Sequence, residues 1–110
     1  YMLNRYTRVL ENVTVFEDRM LDNIFLTKGV IFSQRILSTL IEKGLSREKA
    51  YDSIQPLSMK AWEKGLLFKN LLLGSTEIMS ILSEDEVEAA FDVNYFLKNV
   101  KTIYKRVGLM

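Results

Sequence analysis

Apolar residues recur at steps of three and four positions along almost the whole chain. In the opening segment, YMLNRYTRVLENVTVF, the recurring positions are Leu3, Tyr6, Leu10 and Val13. This spacing places apolar side chains on one side of an α-helix. No segment alternates apolar and polar residues at every second position, as a half-buried strand would. We therefore predict an all-α fold, a compact bundle of about six to seven short-to-medium helices without a sheet.

The segment GVIFSQRILSTLIEKG contains Ser33, Gln34 and Arg35, three side chains that could bind or react. At about 100° per residue, Ser33 falls within the apolar arc of a helix and Arg35 points the opposite way. We expect the Ser33 hydroxyl to bond to a backbone carbonyl. We expect Arg35 to be a solvated or interface residue rather than a ligand clamp, whereas Gln34 lies at the border and is not assigned. The apolar arc consists of Val30, Ile36, Leu37, Leu40 and Ile41.

Residues typical of the beginnings and ends of helices divide the rest of the chain into further predicted helices. A short helix is predicted over residues 17–26, ended by Lys28 and Gly29, and the next helix is expected to end at a left-handed Gly44. The following helix begins after the N-cap candidate Ser46 and contains Pro56, which predicts a kink near residues 52–55. Two further residues of that helix are expected to pack in a core, with an apolar pocket as the less favoured alternative; they are Met59 and Trp62.

The second half is predicted to contain two brief helices, LLFKNLLLG and STEIMSIL, separated by Gly74. The residues Ser83 and Glu86 fit a capping box. A last helix is expected from about Val93 to Arg106, capped by Asp92. Its inward residues would be Tyr95 or Phe96, with Val100, Ile103 and Val107. A run of carboxylates lacks the glycine turn of a calcium loop and indicates a solvated helix start rather than a metal site; it comprises Glu84, Asp85, Glu86, Glu88 and Asp92.

Composition narrows the classes of function. Fifteen basic and fourteen acidic residues give a net charge of +1, which provides no overall attraction to nucleic acid or to anionic lipid. The chain has no histidine and no cysteine, so the commonest proton shuttle and the thiolate ligands and nucleophiles are absent. The longest apolar runs are far too short to span a membrane. Self-contained catalysis is therefore disfavoured.

Three blocks follow one another in the order in which a known family carries them. They are YMLNRYTRVLENV, LTKGVIFSQRILSTLIEKGLSREKAYDSIQPLSMKAWEK and LSEDEVEAAFDVNYFLKNVKTIYKRVG. Together they resemble the C-terminal domain of the adenylosuccinate lyase family, within the fumarase/aspartase superfamily. The resemblance covers nearly the whole chain and favours this branch over argininosuccinate lyase. The family often has a residue other than proline where Pro56 stands.

This resemblance implies a homotetrameric cytoplasmic lyase of purine nucleotide synthesis, which eliminates fumarate from adenylosuccinate and from succinylaminoimidazole carboxamide ribotide. It implies no metal and no organic cofactor. The family uses a serine on a mobile glycine-rich loop as base and a histidine as acid. This chain has no SSxMPxKxNP-like loop, no SSxxR-like phosphate segment and no histidine. No catalytic, cofactor-binding or metal-binding residue is therefore assigned, and we expect the chain alone to be inactive.

The resemblance also implies how the chain is organised. Residues 1–110 would form a single helical domain, in which residues 1–14 end a long helix of a central bundle and residues 17–110 form a helical cap. Because Tyr1 precedes Met2 and the helical pattern is already under way, we expect a piece of a longer protein. Its partners would be the remaining domains and subunits of the tetramer. We expect the cap to stabilise the flank of the tetramer and to border the active-site entrance, with Arg35 and Lys28 on one polar side.

Two other classes of function stay open. The segment LIEKGLSREKAYDSI also resembles the helix, turn and helix of a DNA-binding module, although Glu48 and Asp52 offset Arg47 and Lys49. Alternatively, the chain is a free-standing interaction module whose apolar stripe on residues 1–14 docks another helix.

Overall fold

A computed structural model describes residues 1–110, and all of its regular elements are helices. The all-α prediction is confirmed, with eight α-helices rather than six to seven. Two 3-10 turns, Val30–Phe32 and Val93–Leu97, accompany them. The α-helices are α1 (Met2–Glu11), α2 (Glu17–Ile24), α3 (Ser33–Glu42), α4 (Arg47–Lys64), α5 (Phe68–Leu73), α6 (Thr76–Met79), α7 (Glu84–Ala90) and α8 (Val100–Arg106).

The hydrophobic core is built from α3 to α7. Helix α3 packs against α4 and α7, and α5 contacts α4, α6 and α7. Within the predicted apolar arc, Ile36, Leu37 and Leu40 are buried, whereas Val30 and Ile41 are half-buried. The pattern of α3 therefore identified the inner side of this helix correctly. The other core residues are Ala50, Ile54, Ala61, Phe68, Leu72, Ile78, Leu82, Val87 and Ala90.

The link between α2 and the core confirms the break predicted at Lys28 and Gly29. Both residues have positive φ, 55° for Lys28 and 90° for Gly29, which ends the helical path. The Lys28 carbonyl accepts a hydrogen bond of 3.0 Å from the Phe68 backbone N–H. Gly29 is buried close to the ring of Phe91. This link therefore joins the start of α3 to α5 and α7.

Helix α4 starts as predicted, because the Ser46 hydroxyl accepts a hydrogen bond of 3.3 Å from the Lys49 backbone N–H. Gly44, in the preceding turn, is left-handed at φ 102°. Pro56 lies within α4 without ending it, and its ring is on the exposed side. The helix therefore tolerates the loss of one backbone hydrogen bond at this position.

The prediction that Met59 and Trp62 pack in a core is wrong. They are 50% and 66% exposed, because the inner side of α4 is formed by Ala50, Ile54 and Ala61. At about 100° per residue, Met59 lies about 180° from Ala50, and Trp62 about 120° from it. Two alanines therefore take the positions that face the core.

The end of the chain differs from the predicted long helix. The capping box is confirmed: the Ser83 hydroxyl accepts from the Glu86 N–H at 3.3 Å, and the Glu86 carboxylate accepts from the Ser83 N–H at 2.9 Å. Asp92 also caps as predicted, by accepting a 2.9 Å hydrogen bond from the Asn94 N–H. The helix that follows is divided into a 3-10 turn and α8. None of the residues predicted to point inward there is buried, and α8 makes no extensive contact with another element.

The two ends of the chain project from the core. No residue of α1, α2 or α8 is buried, and the molecule extends over 61 Å. Helix α1 forms as predicted, but its apolar side is uncovered: Leu3 is 82% exposed and Leu10 is 54% exposed. None of the helices has both the length and the apolar content needed to cross a membrane.

Candidate functional site

The first turn of α3 distributes Ser33, Gln34 and Arg35 over two hollows. Ser33 and Gln34 line a pocket of about 190 Å³ beside α4. Gln34 and Arg35 line a second hollow of about 320 Å³ beside the 3-10 turn at Val93–Leu97. Successive residues diverge by about 100° around a helix, so one tripeptide reaches both surfaces. The structure therefore gives Gln34, which the sequence left unassigned, a position between the two.

The pocket beside α4 carries no charged group. Its polar lining comes from Ser33, Gln34, Tyr51, Gln55 and Ser58, above Leu37 and Ile54. The Ser58 hydroxyl oxygen is buried and has no hydrogen-bond partner. Without a carboxylate, a lysine or a histidine, this lining offers hydrogen bonds but no general base near neutral pH.

The Ser33 hydroxyl does not form the predicted hydrogen bond to the backbone. Ser33 is half-buried, and the carbonyl four residues before it, at Gly29, instead accepts from the Phe32 N–H at 3.1 Å. The back-bonding pattern occurs one turn later, where Ser38 and Thr39 each donate to a carbonyl at 3.0 Å. The predicted pattern thus forms at Ser38 and Thr39 and not at Ser33.

Arg35 stacks on an aromatic ring that is distant in sequence. Its guanidinium carbon lies 3.2 Å from the ring centroid of Tyr95, and the Lys98 ammonium lies 4.2 Å from the same centroid. The ring of Phe96 meets that of Tyr95 edge-on, with centroids 5.5 Å apart. Cations bind aromatic faces in this way because the ring quadrupole is negative there. Arg35 is therefore packed against a distant segment of the same chain.

The 3-10 turn positions this aromatic pair. Asp92 caps the first residues of the turn, and the Phe96 ring lies 6.4 Å from that of Phe32, which is buried just before α3. The turn therefore rests on the start of α3 and carries Tyr95 over Arg35. Lys28, which was expected to share a polar side with Arg35, does not line this hollow.

The charges around Tyr95 favour its ionised form. Lys98 lowers the pKa of the Tyr95 phenol most strongly, by its contact with the phenolic group, and the positive charge of Arg35 lowers this pKa further. Partial desolvation and the carboxylate of Glu42 act in the opposite direction. The net effect is a pKa below the ordinary tyrosine value.

Replacing Lys98 with methionine is expected to raise the pKa of Tyr95 toward its ordinary value of about 10, since a positive charge that stabilises the phenolate is removed. Carbon-13 NMR of labelled tyrosine measures this pKa, with Tyr95→Phe to assign the signal. Lys101→Met is the matched control, because Lys101 does not act on Tyr95. A Tyr95 pKa unchanged in both Lys98→Met and Arg35→Met would contradict the arrangement.

The largest groove, of about 650 Å³, lies where α4 meets α6. Ser53 donates a hydrogen bond of 2.6 Å to the Glu77 carboxylate across it. Its ionisable lining residues are Lys49, Asp52 and Glu77, two acids against one base. This groove does not attract phosphates, and two acidic residues offset two basic ones over residues 47–52, so the start of α4 is a poor DNA-recognition surface. No sequence signal indicated the pair, whose members are 24 residues apart.

The acidic run around α7 stabilises the fold. Glu86 belongs to the capping box and pairs with Lys43, which together lower the pKa of its carboxyl group, with Lys43 as the larger cause. Glu88 pairs with Lys69, and Asp92 caps the 3-10 turn. No group of three or more acidic residues lies close enough together to hold a metal ion.

Comparison with known proteins gives the family. The protein-family model described as adenylosuccinate lyase C-terminus matches residues 29–107. The chain belongs to the adenylosuccinate lyase family. The resemblance seen in the sequence blocks is thereby confirmed. The matched range begins at Gly29, which lies between α2 and the start of the core. It includes all the residues that line both hollows around α3.

Adenylosuccinate lyase of Bacillus subtilis (strain 168) is 48% identical over 109 residues. The match covers 99% of this chain and 25% of that protein, so the chain spans about a quarter of its length. In this chain, the hollows on either side of α3 contain hydroxyl, amide, guanidinium and phenol groups and the carboxylate of Glu42. Neither contains the serine loop or the histidine that the family resemblance associates with the reaction.

Proposed function

We propose that this chain is the C-terminal helical domain of an adenylosuccinate lyase that eliminates fumarate from adenylosuccinate and from succinylaminoimidazole carboxamide ribotide, in purine nucleotide synthesis. The observation that carries the proposal is the family match over residues 29–107. That range contains every buried residue, from Gly29 to Ala90. The whole packed core thus has the family's sequence pattern.

Within such an enzyme, residues 1–14 would continue a helix of the central bundle and residues 17–110 would form a cap on one subunit of a cytoplasmic homotetramer. The uncovered apolar side of α1 supports this division, because Leu3, Tyr6 and Leu10 are more than half exposed. Isolated amphipathic helices gain stability mainly when that side is buried. The other domains and subunits would supply the cover.

The proposed contribution of the domain is structural rather than catalytic. Elimination needs a base beside the proton that leaves and an acid beside the departing nitrogen. The chain has no histidine, and the hydrogen bond between the Ser53 hydroxyl and the Glu77 carboxylate bridges two helices. Both reacting groups would therefore come from other parts of the enzyme, and no residue here is assigned to catalysis.

A chimera tests the proposal. The C-terminal quarter of the Bacillus subtilis enzyme is replaced by this chain, and fumarate release from adenylosuccinate is measured by chromatography. We expect the chimera to retain turnover within about tenfold of the parent, a change in barrier height of about 1.4 kcal/mol or less, because the two domains are 48% identical. The 110-residue chain alone, at the same concentration, is expected to release no fumarate.

The matched control is the Bacillus subtilis enzyme truncated before the replaced quarter, which separates activity that needs the domain from activity that does not. A chimera that assembles like the parent but releases no fumarate would refute the assignment. Fumarate release by the 110-residue chain would refute the claim that the domain is not catalytic.

A further inference from the structure

Arg35 is held in place but has no anionic partner. The guanidinium carbon of Arg35 lies 3.2 Å from the centroid of the Tyr95 ring, and Arg35 as a whole is half-buried. The Nε atom is buried without a hydrogen-bond partner. Neither ion pair of the protein involves Arg35; these pairs are Lys43–Glu86 and Lys69–Glu88. A stacked guanidinium keeps its terminal N–H groups free at its edge, which is the geometry that binds an oxyanion with two parallel hydrogen bonds.

The hollow at Arg35 has an apolar side as well as a charged one. It has a volume of about 320 Å³, and its lining includes Ile31 and Phe96. These two side chains are 49% and 57% exposed. A ligand with an apolar body beside its anionic group would cover both and contact Arg35 at the same time.

The net charge around the hollow indicates how many negative charges a bound anion would carry. Arg35 and Lys98 contribute two positive charges at Tyr95, and Glu42 contributes one negative charge to the lining. Gln34 and Ser38, the other polar lining residues, are neutral. The sum is one positive charge, which suits a single carboxylate better than a phosphate dianion.

We infer that the Arg35 hollow binds a carboxylate group attached to an apolar body. The terminal N–H groups of Arg35 donate to the carboxylate. Tyr95 orients the guanidinium by stacking against its face, and Ile31 and Phe96 contact the apolar body. The carboxylate comes either from a free small molecule or from an Asp or Glu side chain elsewhere in the enzyme. The inference goes beyond the proposed function, and binding measurements on the chain itself test it independently of fumarate release.

The first experiment titrates the 110-residue chain with sodium benzoate and follows the Arg35 side-chain signal by nitrogen-15 NMR. We expect saturable binding with a Kd on the order of 1 mM, as for one charge-assisted contact with a small apolar body. Arg35→Met is expected to weaken it by roughly tenfold or more. Methionine keeps the apolar stem, so the packing of α3 is retained, and circular dichroism verifies the fold.

Three controls define the chemistry. Arg47→Met removes an exposed arginine outside the hollow and is expected to leave binding unchanged. Benzamide, the neutral analogue, should not bind, whereas inorganic phosphate should bind more weakly than benzoate. Benzoate should also raise the pKa of Tyr95, because a bound anion offsets the charge of Arg35; a purely structural role for Arg35 would produce no such change.

A second experiment distinguishes the sources of the carboxylate, using the chimera and calorimetry. Benzoate binding that depends on Arg35 in the chimera would indicate a free small molecule. Absence of binding, together with a lower Tm for Arg35→Met but not for Arg47→Met, would indicate a carboxylate side chain of the enzyme. If the chimera shows neither of these two results, the inference is overturned. Equal benzoate binding by the chain and its Arg35→Met variant would also overturn it.

Discussion

Replacing Phe68 with alanine is expected to lower the free energy of unfolding by about 3–5 kcal/mol. Phe68 is fully buried at the start of α5, and its ring centroid lies 6.2 Å from that of Phe91. Truncation removes apolar contacts and leaves a cavity among α4, α5 and α7 that the surrounding helices cannot fill without moving. Domains of this size have a total stability of about 5–15 kcal/mol, so a large share would be lost. Urea denaturation followed by circular dichroism measures the change.

Phe16→Ala is the matched control, because Phe16 is 66% exposed and is not part of the hydrophobic core. Its removal is expected to change the stability of this chain by about 0.5 kcal/mol or less. If Phe68→Ala changed stability no more than Phe16→Ala does, the assignment of Phe68 to the core would be wrong.

Replacing Gly29 with alanine is expected to lower the stability by about 2–4 kcal/mol, from two additive causes. Gly29 has φ 90°, a left-handed conformation that strains any residue with a Cβ atom. The added Cβ would also lie 2.9 Å from Cε1 of Phe91. That ring cannot move away easily, because it packs against Phe32 at 5.0 Å and Phe68 at 6.2 Å between centroids.

Gly44→Ala separates the two causes. Gly44 has a similar φ of 102°, but no atom lies within 4 Å of the position where its Cβ would be. It should therefore show only the backbone strain, about 1–2 kcal/mol. Thermal and urea denaturation of both variants give the comparison. Equal losses at the two glycines would mean that Phe91 does not confine Gly29.

Local rules predicted the helix boundaries well. The capping box at Ser83, the N-cap at Ser46 and the break at Lys28 and Gly29 each depend on residues within a few positions of one another. Such interactions are determined by the local chain and can be recognised in the sequence. The inner side of α3 was predicted for a similar reason, because its apolar period is regular.

The prediction for α4 failed because large apolar residues lie on one side of this helix and the alanines that face the core lie on another. In α4, large apolar residues at Met59 and Trp62 are exposed while alanines at positions 50 and 61 are buried. Hydrophobicity alone favours the larger side chains, but the space between α3 and α5 admits the smaller ones. The last helix was predicted as one element, whereas Asp92 caps a 3-10 turn that the contact between Phe96 and Phe32 holds against α3.

The sequence by itself determined the helical class, most helix ends and, through its ordered blocks, the adenylosuccinate lyase family, because these depend on local chemistry and on order along the chain. Only the tertiary structure decided that Arg35 stacks on Tyr95 and that Ser53 bonds to Glu77. Both pairs join segments that are far apart in sequence. Which side chains meet across such a separation depends on how the helices pack, and no short-range pattern records that.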